Sequence, residues 1–367
     1  MTIATIALTT EPGRPGGAGR RARGRPAAAA AIAAAAALLL AGCSGGGSSP
    51  PSATAVASTS PSGAGHAKAS RARPPGIAAV STHGALVLLN PVTGAVSKTL
   101  VPSGVVGDEI SAAPDGSAIF YTTHTADCTD QVKSAPVSGG GTVTIANGLL
   151  PAVSPDGTKL ALAREPTASP GCTPSAQNLT SQYQVVVHTL SSGAEKVLPM
   201  LPAAQSSGLP APISHLSWAA DNTRLAVSIS SVQDNEGWNL VIVNTAQASA
   251  YEDGPGTSSV PVTGSPKARD SYYREGVFMP GGGLFVSRAC CAGEPVKNIS
   301  RLMWEVNTSG TLTHQVALGF ASLEHTSLAV TKSGKWLLYL AGHDLYVSHN
   351  GAMPVKVTSG LIAATWR

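Results

Sequence analysis

The most reactive side chains in this 367-residue chain belong to five cysteines. Cys290 and Cys291 are adjacent, and the other three are Cys43, Cys128 and Cys172. Thiols can bind a metal, exchange electrons, accept a lipid or form a disulfide. The choice depends on the compartment of the chain and on the elements that bring the cysteines together.

Other reactive residue types form no recognisable catalytic motif. The patterns of a P-loop, of a zinc-binding H-E-x-x-H helix and of a calcium loop are missing from the sequence. His188 and His215 lie within strand patterns, where we expect core histidines rather than ligands. Asp115, Asp156 and Asp221 lie in tight turns, where we expect each carboxylate to cap its own backbone. We therefore expect no catalytic residue, no metal and no cofactor.

The N-terminal segment predicts the compartment. Residues 1–26 hold five arginines and one glutamate, and residues 27–41 form an uncharged, alanine-rich run. A basic segment followed by a short apolar run is typical of a secretory signal. The boundary "LAGC" at residues 40–43 resembles the lipobox of bacterial lipoproteins. The resemblance implies that residues 1–42 are a cleaved signal peptide and that Cys43 carries the lipid. An ordinary secretory signal is the alternative.

Cleavage would also remove the excess of positive charge. The whole chain has a net charge of +4, and residues 1–42 contribute all of it. The remaining residues have equal numbers of acidic and basic side chains, so we expect no nucleic-acid partner. Residues 43–75 are rich in Gly, Ser, Pro and Ala, which predicts a flexible linker between the membrane and a domain at residues 76–367.

An internal repeat predicts the fold. Residues 110–122 read "ISAAPDGSAIFYT", residues 151–163 "PAVSPDGTKLALA" and residues 216–228 "LSWAADNTRLAVS". Weaker copies occupy residues 277–287 and 328–340. Each copy is a β-hairpin pattern, and a second hairpin pattern follows it, which makes four strands per unit. The "SPDG" turn before an apolar strand resembles the repeat of TolB-type β-propellers.

Counting the units predicts six blades and an all-β domain. Complete units lie near residues 109–148, 150–200, 213–255, 274–319 and 325–358. Three strands at residues 76–101 and one at residues 361–367 remain, so we expect the last strand to complete the first blade from the inside. We expect a monomer.

The long insertions fall between second and third strands and between blades, which places them at one face of a propeller. Such extended loops are the usual binding sites on a rigid scaffold. The aromatic and cationic residues that we expect at this candidate binding face are Trp238, Tyr272, Tyr273, Arg274 and Arg288.

All four cysteines after Cys43 are also expected in these insertions. Export favours disulfides over free thiols. Neighbouring blades 2 and 3 would bring Cys128 and Cys172 together, which leaves Cys290 and Cys291 to form a vicinal disulfide. A pairing across the face and reduced thiols are the alternatives. The sequence as a whole predicts an extracytoplasmic lipoprotein at the cell membrane whose propeller binds an envelope protein or a small ligand, with a lactonase or sugar dehydrogenase as the alternative.

Overall fold

The computed structural model describes residues 73–127, 129–164, 184–199, 213–229, 239–247, 257–260, 271–290, 303–316 and 325–367. Internal contacts divide the chain into Met1–Lys68 and Ala69–Arg367, and all the described residues belong to the second unit. None of them forms a helix of the length and apolarity that crossing a membrane requires.

The described residues form 24 strands and no helix. In chain order the strands are β1 Ile77–Ser81, β2 Leu86–Leu89, β3 Val96–Val101, β4 Val106–Ala112, β5 Ala118–His124, β6 Asp130–Pro136, β7 Val143–Asn147, β8 Leu149–Val153, β9 Lys159–Arg164, β10 Gln184–Thr189, β11 Glu195–Pro199, β12 Ile213–Trp218, β13 Arg224–Ile229, β14 Asn239–Asn244, β15 Thr257–Ser259, β16 Ser271–Phe278, β17 Leu284–Cys290, β18 Met303–Val306, β19 Leu312–Val316, β20 His325–Val330, β21 Trp336–Ala341, β22 Asp344–His349, β23 Val355–Ser359 and β24 Leu361–Trp366.

These strands form six four-stranded antiparallel sheets, which are the blades of a propeller. Blade 1 has the order β24-β1-β2-β3, so the last strand of the chain completes the first blade. The N–H of Arg367 donates to the carbonyl of Gly76 at 2.9 Å and extends this pairing beyond the strands. The predicted six-bladed fold and its closure are confirmed.

The core lies in the six gaps between neighbouring blades, each of which holds one cluster of buried apolar side chains. In β1, Ile77 and Ala79 pack toward blade 6, while Ala78 and Val80 pack toward blade 2. Because both faces of a blade are buried, its inner strands read as continuous apolar runs rather than as an alternating pattern.

The tight turns between first and second strands are held by their own side chains, as predicted. Oδ1 of Asp115 accepts from the N–H of Ser117, and Oδ1 of Asp156 accepts from that of Thr158. Oδ1 of Asp221 accepts from the N–H of Thr223 in the same way, at 2.9 Å. These carboxylates therefore have structural roles. We call the face that carries these turns the short-turn face.

The structure corrects the predicted extent of two blades. Blade 4 ends with β15 at Thr257–Ser259, inside the segment that the repeat predicts as an insertion. Residues 271–274 belong to β16, and Cys290 is the last residue of β17, so neither lies in a loop. The strands of blade 5 are therefore longer than the hairpin pattern indicates.

Candidate functional site

The innermost strand of every blade carries an irregularity in its pairing. In blade 1 it lies in β24, opposite Val80 and Ser81 of β1. In the other five blades it lies at an equivalent place before the tight turn. The register of β4, β8, β12, β16 and β20 shifts against the second strand of the same blade. A bulge of this kind re-aims a side chain and is common beside functional sites. One residue stands at this place in each of the five strands, six positions before the third residue of the tight turn that follows the strand. These five residues are Glu109, Leu150, His215, Glu275 and Ser327. Leu150 and Ser327 have positive φ angles of 55° and 53°.

Three of these residues meet across the channel. Nδ1 of His215 lies 2.5 Å from Oε1 of Glu109 and 2.9 Å from Oε1 of Glu275. The imidazole of blade 4 therefore pairs with carboxylates from blade 2 and blade 5. All three side chains are at least nine-tenths buried. We call these three residues the Glu–His–Glu cluster.

Backbone groups support both carboxylates. The N–H of Leu216 donates to Oε1 of Glu109, and the N–H of Leu328 donates to Oε1 of Glu275, each at 3.4 Å. Among the described residues, Nε2 of His215 and Oε2 of Glu275 have no hydrogen-bond partner although both atoms are buried. Buried polar atoms in this state commonly meet a water or a ligand.

The cluster controls the protonation of its histidine. Burial disfavours the charged imidazolium, but the negative charges of Glu109 and Glu275, together with their hydrogen bonds, raise the pKa of His215 well above its ordinary value. No group of three or more His, Cys, Asp or Glu side chains in the described part of the chain is arranged to hold a metal ion.

A cavity of about 460 Å³ extends from this cluster to the short-turn face. Glu109 and His215 line its floor, while Glu275 lies outside the lining. The walls combine apolar side chains, such as Trp218 and Phe278, with hydroxyl groups such as Thr365. A cavity of this volume, lined by both apolar and polar side chains, is typical of a small-molecule site.

Hydrogen bonds between blades fix the walls of the cavity. Nε1 of Trp218 donates to the carbonyl of Ala152 in blade 3 at 2.9 Å. The N–H of Phe278 in blade 5 donates to Oγ of Ser217 at 3.1 Å. The walls are therefore held by neighbouring blades as well as by their own sheets, which makes the site rigid.

Of the five residues predicted for the candidate binding face, the structure describes the side chain of Tyr273 alone. Tyr273 is 2% exposed and packs in the core between blades 4 and 5, so its predicted place on a surface is wrong. Tyr272, Arg274 and Arg288 lie on β16 and β17, and their side chains are outside the described set. Trp238 also lies outside the described residues.

The predicted lipid and disulfide sites stay predictions. Cys43, Cys128, Cys172 and Cys291 lie outside the described residues, and of Cys290 only the backbone is described. The insertions expected at the opposite face from the short turns fall largely in the same undescribed segments.

The prediction that His188 and His215 are core histidines is confirmed. His188 is buried, with Nδ1 3.4 Å from Oε1 of Glu195. His215 is also buried, but its two carboxylate partners make it the centre of the candidate site. Glu109 and Glu275 were not predicted. Aligning the repeats by their turns would have found them, because that alignment brings two glutamates and one histidine to one position.

Comparison with known proteins supports the fold alone. No protein-family model and no curated protein matches the sequence. Among solved structures, TolB from Acinetobacter baumannii is similar with a TM-score of 0.53 and 13% identity over 80% of this chain and 66% of that chain. This chain therefore spans slightly less than two thirds of that structure.

Two further structures are similar at lower scores. Putative TolB from Agrobacterium tumefaciens has a TM-score of 0.48 and 11% identity, and the match covers 78% of this chain and 90% of that chain. Oligogalacturonate lyase from Vibrio parahaemolyticus has a TM-score of 0.47 and 12% identity, over 77% of this chain and 79% of that chain. The chain has the fold of a six-bladed β-propeller. Its blade architecture is TolB-like.

Proposed function

We propose that this protein is a lipid-anchored, extracytoplasmic binding protein whose propeller binds a small ligand in its channel without catalysing a reaction. The observation that carries the proposal is the cavity of about 460 Å³ whose floor holds Glu109 and His215. A binding role fits walls of mixed apolar and hydroxyl side chains on a rigid scaffold. The similarity to TolB structures supports the fold on which this role depends.

Anchoring through Cys43 is supported by the lipobox-like "LAGC" and by the linker composition of residues 43–75. The propeller begins at Gly76, which is hydrogen-bonded to Arg367. Arg367 in turn lies next to Gly116 in the first turn of blade 2, because its carbonyl carbon is the nearest atom to a Cβ built at Gly116. Gly76, at the start of the propeller, therefore lies at the short-turn face, which the cavity also reaches.

Metabolic labelling tests the anchor. Cells expressing the full chain are grown with an alkyne-bearing fatty acid, and the labelled protein is detected after fractionation. We expect label and membrane association for the natural sequence and neither for Cys43→Ser. A Cys43→Ser protein that still carries the label contradicts the lipid site.

Native mass spectrometry tests the ligand. The purified full chain is incubated with a small-molecule extract of its own envelope, and bound masses are identified. Ala220→Trp is the matched variant, because Ala220 lines the cavity and is exposed at the short-turn face. We expect a bound mass with the natural sequence that the variant loses. If both proteins bind the same mass equally, the ligand binds outside the cavity. If neither protein binds any mass, the proposal is contradicted.

An enzyme is the second candidate, because Glu109 and Glu275 converge on one histidine beside a cavity. Paired carboxylates with a histidine are common acid and base groups. Assays of lactone hydrolysis and of sugar oxidation, with Glu109→Gln as the control, distinguish the two functions. Turnover that Glu109→Gln abolishes favours the enzyme, and no turnover by either protein favours the binding role.

A further inference from the structure

We infer that the cavity takes an uncharged ligand whose apolar body carries a hydrogen-bond-accepting oxygen, such as the carbonyl of a ketone or an ester. This inference rests on the proposed ligand-binding function and specifies its ligand class. Donors in the cavity lining determine the polar part of the ligand, and the aromatic walls determine the rest. The donors are Nε2 of His215 and the hydroxyl groups of Ser111 and Ser217.

The imidazole of His215 supplies the donor at the floor of the cavity. Nδ1 lies 2.5 Å from Oε1 of Glu109 and 2.9 Å from Oε1 of Glu275, and because a carboxylate only accepts, Nδ1 carries a hydrogen atom. The raised pKa of His215 keeps the second ring nitrogen protonated as well, which makes Nε2 a donor. Nε2 is buried and has no hydrogen-bond partner among the described residues. An acceptor oxygen of the ligand would meet it, directly or through one ordered water.

Two hydroxyl groups in the walls provide a second, independent observation. Ser111 and Ser217 stand at equivalent places in the innermost strands of blades 2 and 4. Oγ of Ser111 accepts from the N–H of Val153 at 3.0 Å, and Oγ of Ser217 accepts from that of Phe278 at 3.1 Å. A hydroxyl that accepts still has its own hydrogen to donate, and neither serine donates it within the described part of the chain. These hydrogens also require an acceptor oxygen.

The surroundings of His215 favour an oxygen without charge. A cation cannot satisfy Nε2, because its own hydrogens would face that donor. An anion would bring another negative charge close to Glu109 and Glu275, which already stand against the same ring. Lys332, the lysine of the lining, is exposed, and its Nζ donates to the carbonyl of Pro114 at 3.2 Å. An uncharged acceptor therefore gains the hydrogen bond at the smallest cost of desolvation.

The walls favour an aromatic body. Trp218 and Phe278 line the cavity, together with apolar residues from the inner strands of blades 2, 3 and 6 such as Ile110, Val153 and Leu328. Aromatic rings gain both buried area and ring contacts in such surroundings. A phenyl group joined to a carbonyl by a short chain is therefore a suitable probe.

Three probes share a phenyl ring and a short spacer and differ in the group at the end. The probe 4-phenyl-2-butanone ends in an uncharged carbonyl, 3-phenylpropionate ends in a charged acceptor of nearly the same shape, and butylbenzene is the ketone without its oxygen. Their dissociation constants for the full chain are measured near pH 7 by ligand-observed NMR titration. We expect the ketone to bind roughly tenfold more tightly than the carboxylate, because a buried charge is the more costly group.

A double variant tests the donors in the walls. Ser111→Ala combined with Ser217→Ala should weaken binding of the ketone about two- to tenfold, which corresponds to one lost hydrogen bond between uncharged groups. Binding of butylbenzene should change by less than about twofold, because it has no acceptor to lose. Ser97→Ala combined with Ser214→Ala is the matched control, because both serines lie outside the lining and their hydroxyls already donate to carbonyls. The control should change neither constant.

A triple variant tests the donor at the floor. Glu109→Gln, His215→Leu and Glu275→Gln together remove Nε2 and the charges around it, so that no charge of the cluster is left behind. The ketone should bind about tenfold or more weakly, which corresponds to the loss of a hydrogen bond from a charged group. Butylbenzene should bind at least as tightly as it does to the natural protein. Thermal unfolding establishes that each variant is folded, and the serine variant tests the inference by itself if the triple variant is not.

The outcomes separate the inference from the proposed function. If the ketone loses no more affinity than butylbenzene in any folded variant, the inference is overturned and the cavity binds apolar ligands. A carboxylate that binds more tightly than the ketone overturns it as well. Failure of all three probes to bind the natural protein overturns this ligand class, while the envelope extract tests the binding function by itself.

Discussion

Nδ1 of His215 lies 2.9 Å from Oε1 of Glu275, although the two residues belong to different blades. The same nitrogen contacts Glu109 of blade 2, so one imidazole connects three of the six sheets. The cluster thus contributes to the charge of the cavity and also to the contacts between blades.

The free energy of unfolding should fall as the pH rises above about 6.5, the ordinary pKa of histidine. The pKa of His215 is raised in the folded state, so its protonation stabilises the fold fully below that pH. This contribution is lost as the pH rises through the folded-state pKa. Denaturant unfolding between pH 6 and pH 9 measures the change. His215→Gln should remove this part of the pH dependence, and the exposed His83→Gln should retain it.

Removing the histidine should be more harmful than removing the whole cluster. His215→Leu leaves two buried carboxylates without a counter-charge and should cost about 3–5 kcal/mol of unfolding free energy. The triple variant Glu109→Gln, His215→Leu and Glu275→Gln removes the charges together and should recover a large part of that loss. A triple variant less stable than His215→Leu would contradict the electrostatic explanation.

The closing strand should stabilise the entire propeller. Trp366 packs in the core between blades 6 and 1, with its ring 6.4 Å from that of Trp336, and its Nε1 donates to the carbonyl of Ala329. Trp366→Ala should cost about 3–5 kcal/mol, while the exposed Met353→Ala should change stability by less than about 0.5 kcal/mol. Deleting residues 361–367 should lower the melting temperature of the whole domain, and a truncated protein that melts like the parent contradicts closure.

Two glycines with similar backbone angles separate strain from packing. Gly94 has φ +69° and Gly104 has φ +82°, so alanine is strained at both. A Cβ at Gly94 would lie 2.4 Å from the carbonyl oxygen of Val357 in blade 6, whereas nothing lies within 4 Å at Gly104. Gly94→Ala should therefore cost about 1–3 kcal/mol more than Gly104→Ala. Equal costs in denaturant unfolding would show that this contact between blades can relax.

Peptide mapping without reducing agent tests the predicted disulfides. We expect one peptide pair joined through Cys128 and Cys172, and one peptide that holds Cys290 and Cys291 in a vicinal bond. A peptide that links Cys128 or Cys172 to Cys290 or Cys291 contradicts this pairing. Full alkylation of all four thiols would do so as well.

The sequence predicts the fold well because each blade repeats the same local signals. A strand that is buried on both faces must be apolar along its length, and the turn between two such strands requires Asp, Asn or Gly. β15 is the exception. Its three residues, "TSS", carry no apolar pattern, and so the end of blade 4 was not predicted.

The candidate site is harder to predict because its residues are distant in sequence. Glu109 and His215 are separated by two repeats, and each looks ordinary within its own strand. Only ring closure brings them together across the channel. Tyr273 shows the same limitation, because an aromatic side chain beside an insertion pattern fits a surface as well as a core.

The pairing of β24 with β1 has a consequence for the order of assembly. During synthesis, blades 2 to 6 can each form from consecutive stretches of chain, but blade 1 must wait for residues 361–366. Its other three strands are made first and remain without their inner partner until the last residues emerge. The first blade to be synthesised is therefore the last to be completed, and an interrupted chain of any length leaves it open.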